Sequence, residues 1–143
     1  MKEIPKILIV DDDMIVAINI KSTLESWGYS ITFIARSGKE ALQKVTEFSP
    51  DLVLMDINLR GNLTGIETAE ELRSLYYLPV IYLTACEDED TMSSADGYLL
   101  KPLNKSELKK SIKAALQKYS PGSQSRSSIS FRSEYLDSPL PFY

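Results

Sequence analysis

Four short apolar runs constrain this chain more than any other feature. Lys6-Ile7-Leu8-Ile9-Val10 ends in Asp11, Asp12 and Asp13, and Leu52-Val53-Leu54-Met55 ends in Asp56. Val80-Ile81-Tyr82-Leu83 ends in Thr84, and Tyr98-Leu99-Leu100 ends in Lys101-Pro102. Runs of this length and content read as buried strands. If the strands are parallel neighbours, the acids, the hydroxyl and the amine converge on one edge of one sheet. Open α/β folds place their chemistry at that carboxyl edge. Clustered carboxylates with one lysine and one hydroxyl suit a divalent cation and a phosphoryl group.

The segments between the runs carry helical spacing. Val16, Ile20, Leu24 and Trp27 recur along one helix face, and Gly28 is a stop. Ser30 to Ala35 is rich in β-branched residues and reads as a further strand. Ser37 with Glu40 forms a capping-box pattern before Ala41, Leu42, Val45 and Phe48, and Pro50 breaks that helix. Thr64 with Glu67 repeats the pattern before Ile66, Ala69 and Leu72. Asn104 with Glu107 opens a last helix that buries Leu108, Ile112, Ala115 and Leu116. Five strands alternating with helices predict an α/β, flavodoxin-like, doubly wound parallel sheet. Right-handed crossovers favour strand order 2-1-3-4-5. Only 13 residues separate Thr84 from Tyr98, so a shortened fourth helix is expected there.

Length and composition narrow the function. The 143 residues suffice for one domain, with 43% hydrophobic and 25% charged residues. Up to residue 119 there are 14 basic against 18 acidic side chains, which disfavours a nucleic-acid surface. No basic block suggests an anionic membrane, and no apolar stretch approaches a bilayer span. The early apolar run is too short for a signal peptide, so a cytoplasmic location is expected. Histidine is absent and Cys86 is the single cysteine. Zinc and iron–sulfur sites and histidine-based hydrolase triads are therefore excluded. Residues 120–143 hold eight serines and three prolines without helical or strand period, and read as a flexible tail after a domain spanning 1–119.

Taken in order, ILIVDDD, PDLVLMD, VIYLTA and GYLLKP resemble the receiver domain of two-component response regulators, over about residues 5–119. The resemblance implies that Asp56 is the phospho-acceptor. It implies that Asp11, Asp12, Asp56 and the backbone carbonyl of Asn58 hold Mg²⁺. Thr84 would bond a phosphoryl oxygen, Lys101 would pair with the phosphoryl group, and Lys101-Pro102 would be a cis peptide. Tyr98 would be the aromatic switch residue, turning as Thr84 moves, with the two at adjacent strand ends. The partners implied are a histidine kinase or histidine phosphotransfer protein and a downstream protein reached by contact. By that resemblance the chain would be a stand-alone phospho-acceptor with self-catalysed phosphorylation and dephosphorylation rather than an enzyme with its own substrate. Asp13 is expected to face solvent.

This sequence departs from the common pattern in places. Asp56 to Gly65 spans nine residues, one more than the commoner spacing. Arg60-Gly61 stands where proline is frequent, and Thr64 where aspartate is frequent. The shortened crossover falls where the family builds much of its output surface. That shortening motivates an alternative reading as a degenerate, phosphorylation-independent interaction module. A second alternative takes Asp11-x-Asp13 as a haloacid dehalogenase-type phosphatase pattern with Asp11 as nucleophile, though no cap domain or later acidic pair accompanies it.

Overall fold

A computed structural model describes residues 4–59, 61, 64–85 and 97–118. Five parallel strands form one sheet: β1 (Lys6–Val10), β2 (Ser30–Ala35), β3 (Leu52–Asp56), β4 (Val80–Thr84) and β5 (Gly97–Leu100). Their order is β2-β1-β3-β4-β5, the order expected from right-handed crossovers. The described helices are α1 (Met14–Ser26), α2 (Gly38–Phe48), α3 (Gly65–Tyr76) and α4 (Lys105–Lys118). The shortened helix expected between Thr84 and Tyr98 falls on residues 86–96, outside the described residues. So do the boundary at residue 119 and the Ser/Pro-rich stretch that follows it.

The pleat divides the core in two, because alternate residues of a strand face opposite sides. Ile7, Ile9, Leu52, Leu54, Ile81, Leu83 and Leu99 pack with Ala17, Ile20 and Leu24 of α1 and with Leu108, Ile112 and Ala115 of α4. Leu8, Val10, Val53, Met55, Val80 and Tyr82 pack on the other face with Ala41 and Val45 of α2 and with Ala69 and Leu72 of α3. Every residue of β3 and β4 is buried, as strands covered on both faces require. Asp56 has the parity of Leu54, and Thr84 that of Tyr82. The two therefore leave their strands towards opposite faces.

Local chemistry fixes where the helices begin and end. Gly28 has φ 97°, in the left-handed region, and Tyr29 N–H donates back to the Leu24 carbonyl at 3.1 Å, closing α1. Thr64 and Glu67 make the full capping box at the start of α3, with both reciprocal bonds at 3.0 Å. The box expected at Ser37 is only half made. Ser37 Oγ accepts from Glu40 N–H at 3.1 Å, but the Glu40 carboxylate accepts from Arg36 N–H at 2.8 Å instead of reaching Ser37. Asn104 Oδ1 accepts from Glu107 N–H at 3.0 Å and caps α4. A bulge in the β1–β2 pairing skips Thr32, whose hydroxyl donates to the Ile7 carbonyl at 3.3 Å.

One expectation about placement needs correction. Tyr98 does not sit at the strand end beside Thr84. The β4–β5 register pairs Tyr98 with Tyr82 and Thr84 with Leu100, so Tyr98 lies one pleat repeat below Thr84 on the same face. Strand pairing sets this offset, and the residues of either strand alone do not reveal it.

Candidate functional site

Three backbone bonds extend the ladders past the strand ends at which the polar groups sit. Asp11 N–H donates to the Ala35 carbonyl at 2.9 Å, carrying β1 one residue further along β2. Ile57 N–H donates to the Leu83 carbonyl at 3.1 Å, which does the same for β3 against β4. Lys101 N–H donates to the Thr84 carbonyl at 2.8 Å, which holds the start of the Lys101-Pro102 segment against β4. The Lys101-Pro102 peptide is cis.

These extensions bring Asp11, Asp12 and Asp56 together, with one carboxylate oxygen from each lying within 4.8 Å of the others. Asp11 is fully buried, Asp56 is 5% exposed and Asp12 is half-buried. Lys101 Nζ stands 3.5 Å from Asp11 Oδ2 and 3.5 Å from Asp56 Oδ1. Asp11 Oδ1 accepts from Asp13 N–H at 2.9 Å, and Asp56 Oδ1 accepts from Asn58 N–H at 3.2 Å. The second of these bonds folds Asn58 back beside the Asp56 carboxylate. Thr84 is buried at the adjoining end of β4. Asp13 is exposed and stands outside the carboxylate group. It caps α1, with Oδ1 accepting from Ile15 N–H at 3.1 Å and Val16 N–H at 3.3 Å.

The electrostatics are strained in the direction a cation relieves. Burial pushes the Asp11 carboxyl above its ordinary range, and the neighbouring Asp56 charge adds to the rise. The Asp13 N–H bond and the Lys101 ammonium oppose the rise without cancelling it. Asp11 Oδ2 is buried and accepts no hydrogen bond. A buried, under-satisfied carboxylate oxygen among three acids is a donor set that fits a hard divalent cation.

Reading the strand ends alone misses Gly65. It is the first residue of α3 and is buried, and its N–H donates to the Ile57 carbonyl at 3.2 Å. A Cβ at this position would overlap the Asp56 carbonyl oxygen and lie 2.7 Å from Ile57 Cα. The signal was present only as a glycine at a set distance after Asp56. The backbone contact behind it comes from the docking of α3.

Comparison with known proteins identifies the family. The family model described as the response regulator receiver domain matches residues 7–113. The fold is similar to the signal receiver domain of a modulated diguanylate cyclase from Desulfovibrio desulfuricans, at 36% identity over 81% of this chain and 96% of that one, with TM-score 0.75. It is similar to the N-terminal domain of a response regulator/sensory box/GGDEF three-domain protein from Carboxydothermus hydrogenoformans, at 37% identity over 80% of this chain and 95% of that one, with TM-score 0.72. A CheY-like receiver domain protein from Methanospirillum hungatei matches at 30% identity over 81% and 96%, with TM-score 0.73. No described helix is long and apolar enough to cross a membrane. This chain belongs to the response regulator receiver domain family, whose general function is to accept a phosphoryl group in two-component signalling.

Proposed function

We propose that the chain takes a phosphoryl group on Asp56 from the phosphohistidine of a histidine kinase or histidine phosphotransfer protein, and signals by contact with a downstream protein. The observation that carries this reading is the meeting of the Asp11, Asp12 and Asp56 carboxylates with Lys101 Nζ at 3.5 Å from two of them. Residues 1–119 form the receiver unit in this reading. Exposed Ile15 and Ile18 on α1, starting two residues after Asp13, offer apolar surface next to the site for a protein donor.

In the reaction an Asp56 carboxylate oxygen attacks phosphorus. The P–N bond to the donor imidazole breaks, a P–O bond to Asp56 forms, and the departing imidazole nitrogen takes a proton. Asp11, Asp12, Asp56 and the Asn58 backbone carbonyl would hold Mg²⁺. When bound, the ion supplies positive charge that offsets the crowded carboxylates and the incoming phosphoryl oxygens. Lys101 moves its ion pair from the carboxylates to a phosphoryl oxygen, and Thr84 donates its hydroxyl to another. Water later cleaves the acyl phosphate and releases inorganic phosphate.

Incubation with Mg²⁺ and a small acyl phosphate, followed by intact-mass spectrometry, tests the reading. One added phosphoryl group is expected, and it should require the ion. An unmodified chain would instead support an interaction module that works without phosphorylation.

The raised Asp11 carboxyl predicts how Mg²⁺ binding follows pH. A proton retained on Asp11 must leave before the ion binds. Affinity should therefore climb as pH rises from the ordinary carboxylate range through the raised Asp11 value, then level off. In the metal-free protein the same shift acts oppositely on stability. The folded state holds the proton more tightly than the unfolded chain, so this contribution is present at low pH and is lost as pH rises through the folded value. Calorimetric Mg²⁺ titrations across pH should show the climb in the native protein and lose the Asp11 component in Asp11→Asn.

Switching is proposed to run from Thr84 to Tyr98. Phosphorylation adds about -1.5 to -2 charge and three strong acceptors, which draw the Thr84 hydroxyl. Its movement alters the face on which Tyr98, 41% exposed, lies one pleat repeat away. One hydroxyl bond and one charge-assisted bond together supply a few kcal/mol, enough to invert a minor population. Tyr98 ring resonances in NMR should shift on phosphorylation of the native chain and stay still in Thr84→Ala. Identical shifts in both proteins would remove Thr84 from the route.

A further inference from the structure

We propose that Gly65 is a positioning residue for the cation site, acting through the backbone of residues 56–58. The proposal rests on the metal-site reading above and extends it to a residue that touches neither ion nor phosphoryl group. Three hydrogen bonds hold this short loop. Ile57 N–H is tied to the Leu83 carbonyl of β4 at 3.1 Å. Asn58 N–H is tied to the Asp56 carboxylate at 3.2 Å. The Ile57 carbonyl is tied to Gly65 N–H at 3.2 Å. The third anchor exists only because α3 can start directly against the loop.

The close approach leaves no room for an added side-chain atom. The three atoms nearest to a Cβ on Gly65 are the Asp56 carbonyl oxygen, Ile57 Cα at 2.7 Å and Asp56 carbonyl carbon at 3.0 Å. All three are backbone, so no side chain can rotate aside. Two neighbouring parts resist displacement. Asp56 ends a strand paired on both sides, and α3 is pinned by the Thr64–Glu67 box and by Ala69 and Leu72 in the core. The stretch from Ile57 to Asn58, past the end of the strand, is where a shift is easiest. That stretch bears the Asn58 carbonyl assigned to the ion. Gly65 does not have the left-handed φ seen at Gly28 and Gly61, so alanine is compatible with its backbone conformation. The cost of substitution is the overlap itself, and it falls on the loop.

The test compares the full-length native chain, Gly65→Ala and the double variant Thr64→Ala/Glu67→Gln. The double variant loosens the start of α3 without adding atoms. Circular dichroism reports folding, calorimetry reports affinity for Mg²⁺ alone, and amide NMR reports Ile57 and Asn58. Phosphorylation by a small acyl phosphate is followed against Mg²⁺ concentration. Gly65→Ala is expected to fold, bind Mg²⁺ at least tenfold more weakly and shift the Ile57 and Asn58 amides. Its half-saturating Mg²⁺ concentration should rise while its maximal phosphorylation rate stays within a few-fold of native. The double variant should weaken Mg²⁺ binding two- to fivefold in the same pattern. Should Gly65→Ala not fold, the double variant decides alone. Native Mg²⁺ affinity in every folded variant overturns the role of Gly65 and leaves the metal site standing. A native chain that binds no Mg²⁺ overturns both.

Discussion

Asp56→Ala is expected to abolish phosphoryl uptake completely while leaving the chain folded. The loss should appear as an unchanged intact mass after incubation with Mg²⁺ and a small acyl phosphate. The fold should survive because Asp56 is an electrostatic burden before it is an asset. Its charge helps to push the Asp11 carboxyl upward, so its removal relieves repulsion in a buried site. Against that gain stands the loss of one of the two carboxylates facing Lys101 at 3.5 Å. The two effects oppose each other, and the net change in stability should stay within about 1 kcal/mol. Mg²⁺ affinity should fall as well, since a ligand has gone. The same variant separates the phosphatase alternative. If Asp11 were the nucleophile, a phosphoryl group would still appear on Asp56→Ala.

Lys101→Ala is expected to move metal binding and signalling in opposite directions. The lysine side chain is a quarter exposed, whereas the Asp11 and Asp56 side chains it faces are almost wholly buried. Removing the ammonium leaves two buried carboxylates without their cation. A full buried-pair penalty is tempered by the lysine's exposure and by protonation of Asp11, so the metal-free protein should lose about 1–3 kcal/mol. Mg²⁺ should restore that loss and bind several-fold more tightly, because a like charge has left the site. Asp56 should still be phosphorylated, though more slowly. The Tyr98 resonances should no longer respond in full, because one of the two groups proposed to grip the phosphoryl oxygens is gone. Thermal unfolding with and without Mg²⁺, set beside the NMR response, checks all three. Weaker Mg²⁺ binding in this variant would show that Lys101 organises the carboxylates rather than competing with the ion.

The strands and their polar ends were legible in the sequence because they are written twice. The runs of β1, β3 and β4 satisfy burial on both faces, that of β5 buries Leu99 alone, and each is followed by or ends in a polar residue at the carboxyl edge. The sheet order followed from crossover handedness, which depends on chirality and not on side-chain detail. Features that depend on pairing or docking were not legible. Tyr98 reads as the start of a strand, but its level beside Tyr82 comes from the β4–β5 register. Glu40 fits a capping pattern, yet its carboxylate goes to Arg36 N–H, which the turn out of β2 brings closer. Two helix ends lack the glycine that usually marks them, although Pro50 did signal the end of α2. Ser49 and Tyr77 close α2 and α3 in the left-handed region with φ 47° and 57°, where glycine would be the usual choice. Gly65 was visible as spacing only, since its contact lies between a helix start and a strand end that are joined by a loop.

The pleat has one last implication. Asp56 leaves β3 towards the side covered by α1 and α4, whereas Thr84 and Tyr98 leave their strands towards the side covered by α2 and α3. In the proposed switch, covalent change and its readout would thus be written on opposite pages of the same sheet. News of a modified carboxylate would then have to turn the corner at the rim instead of crossing the packed layer between them. Thr84 stands at that corner, which would make a single hydroxyl the narrowest point in the proposed route.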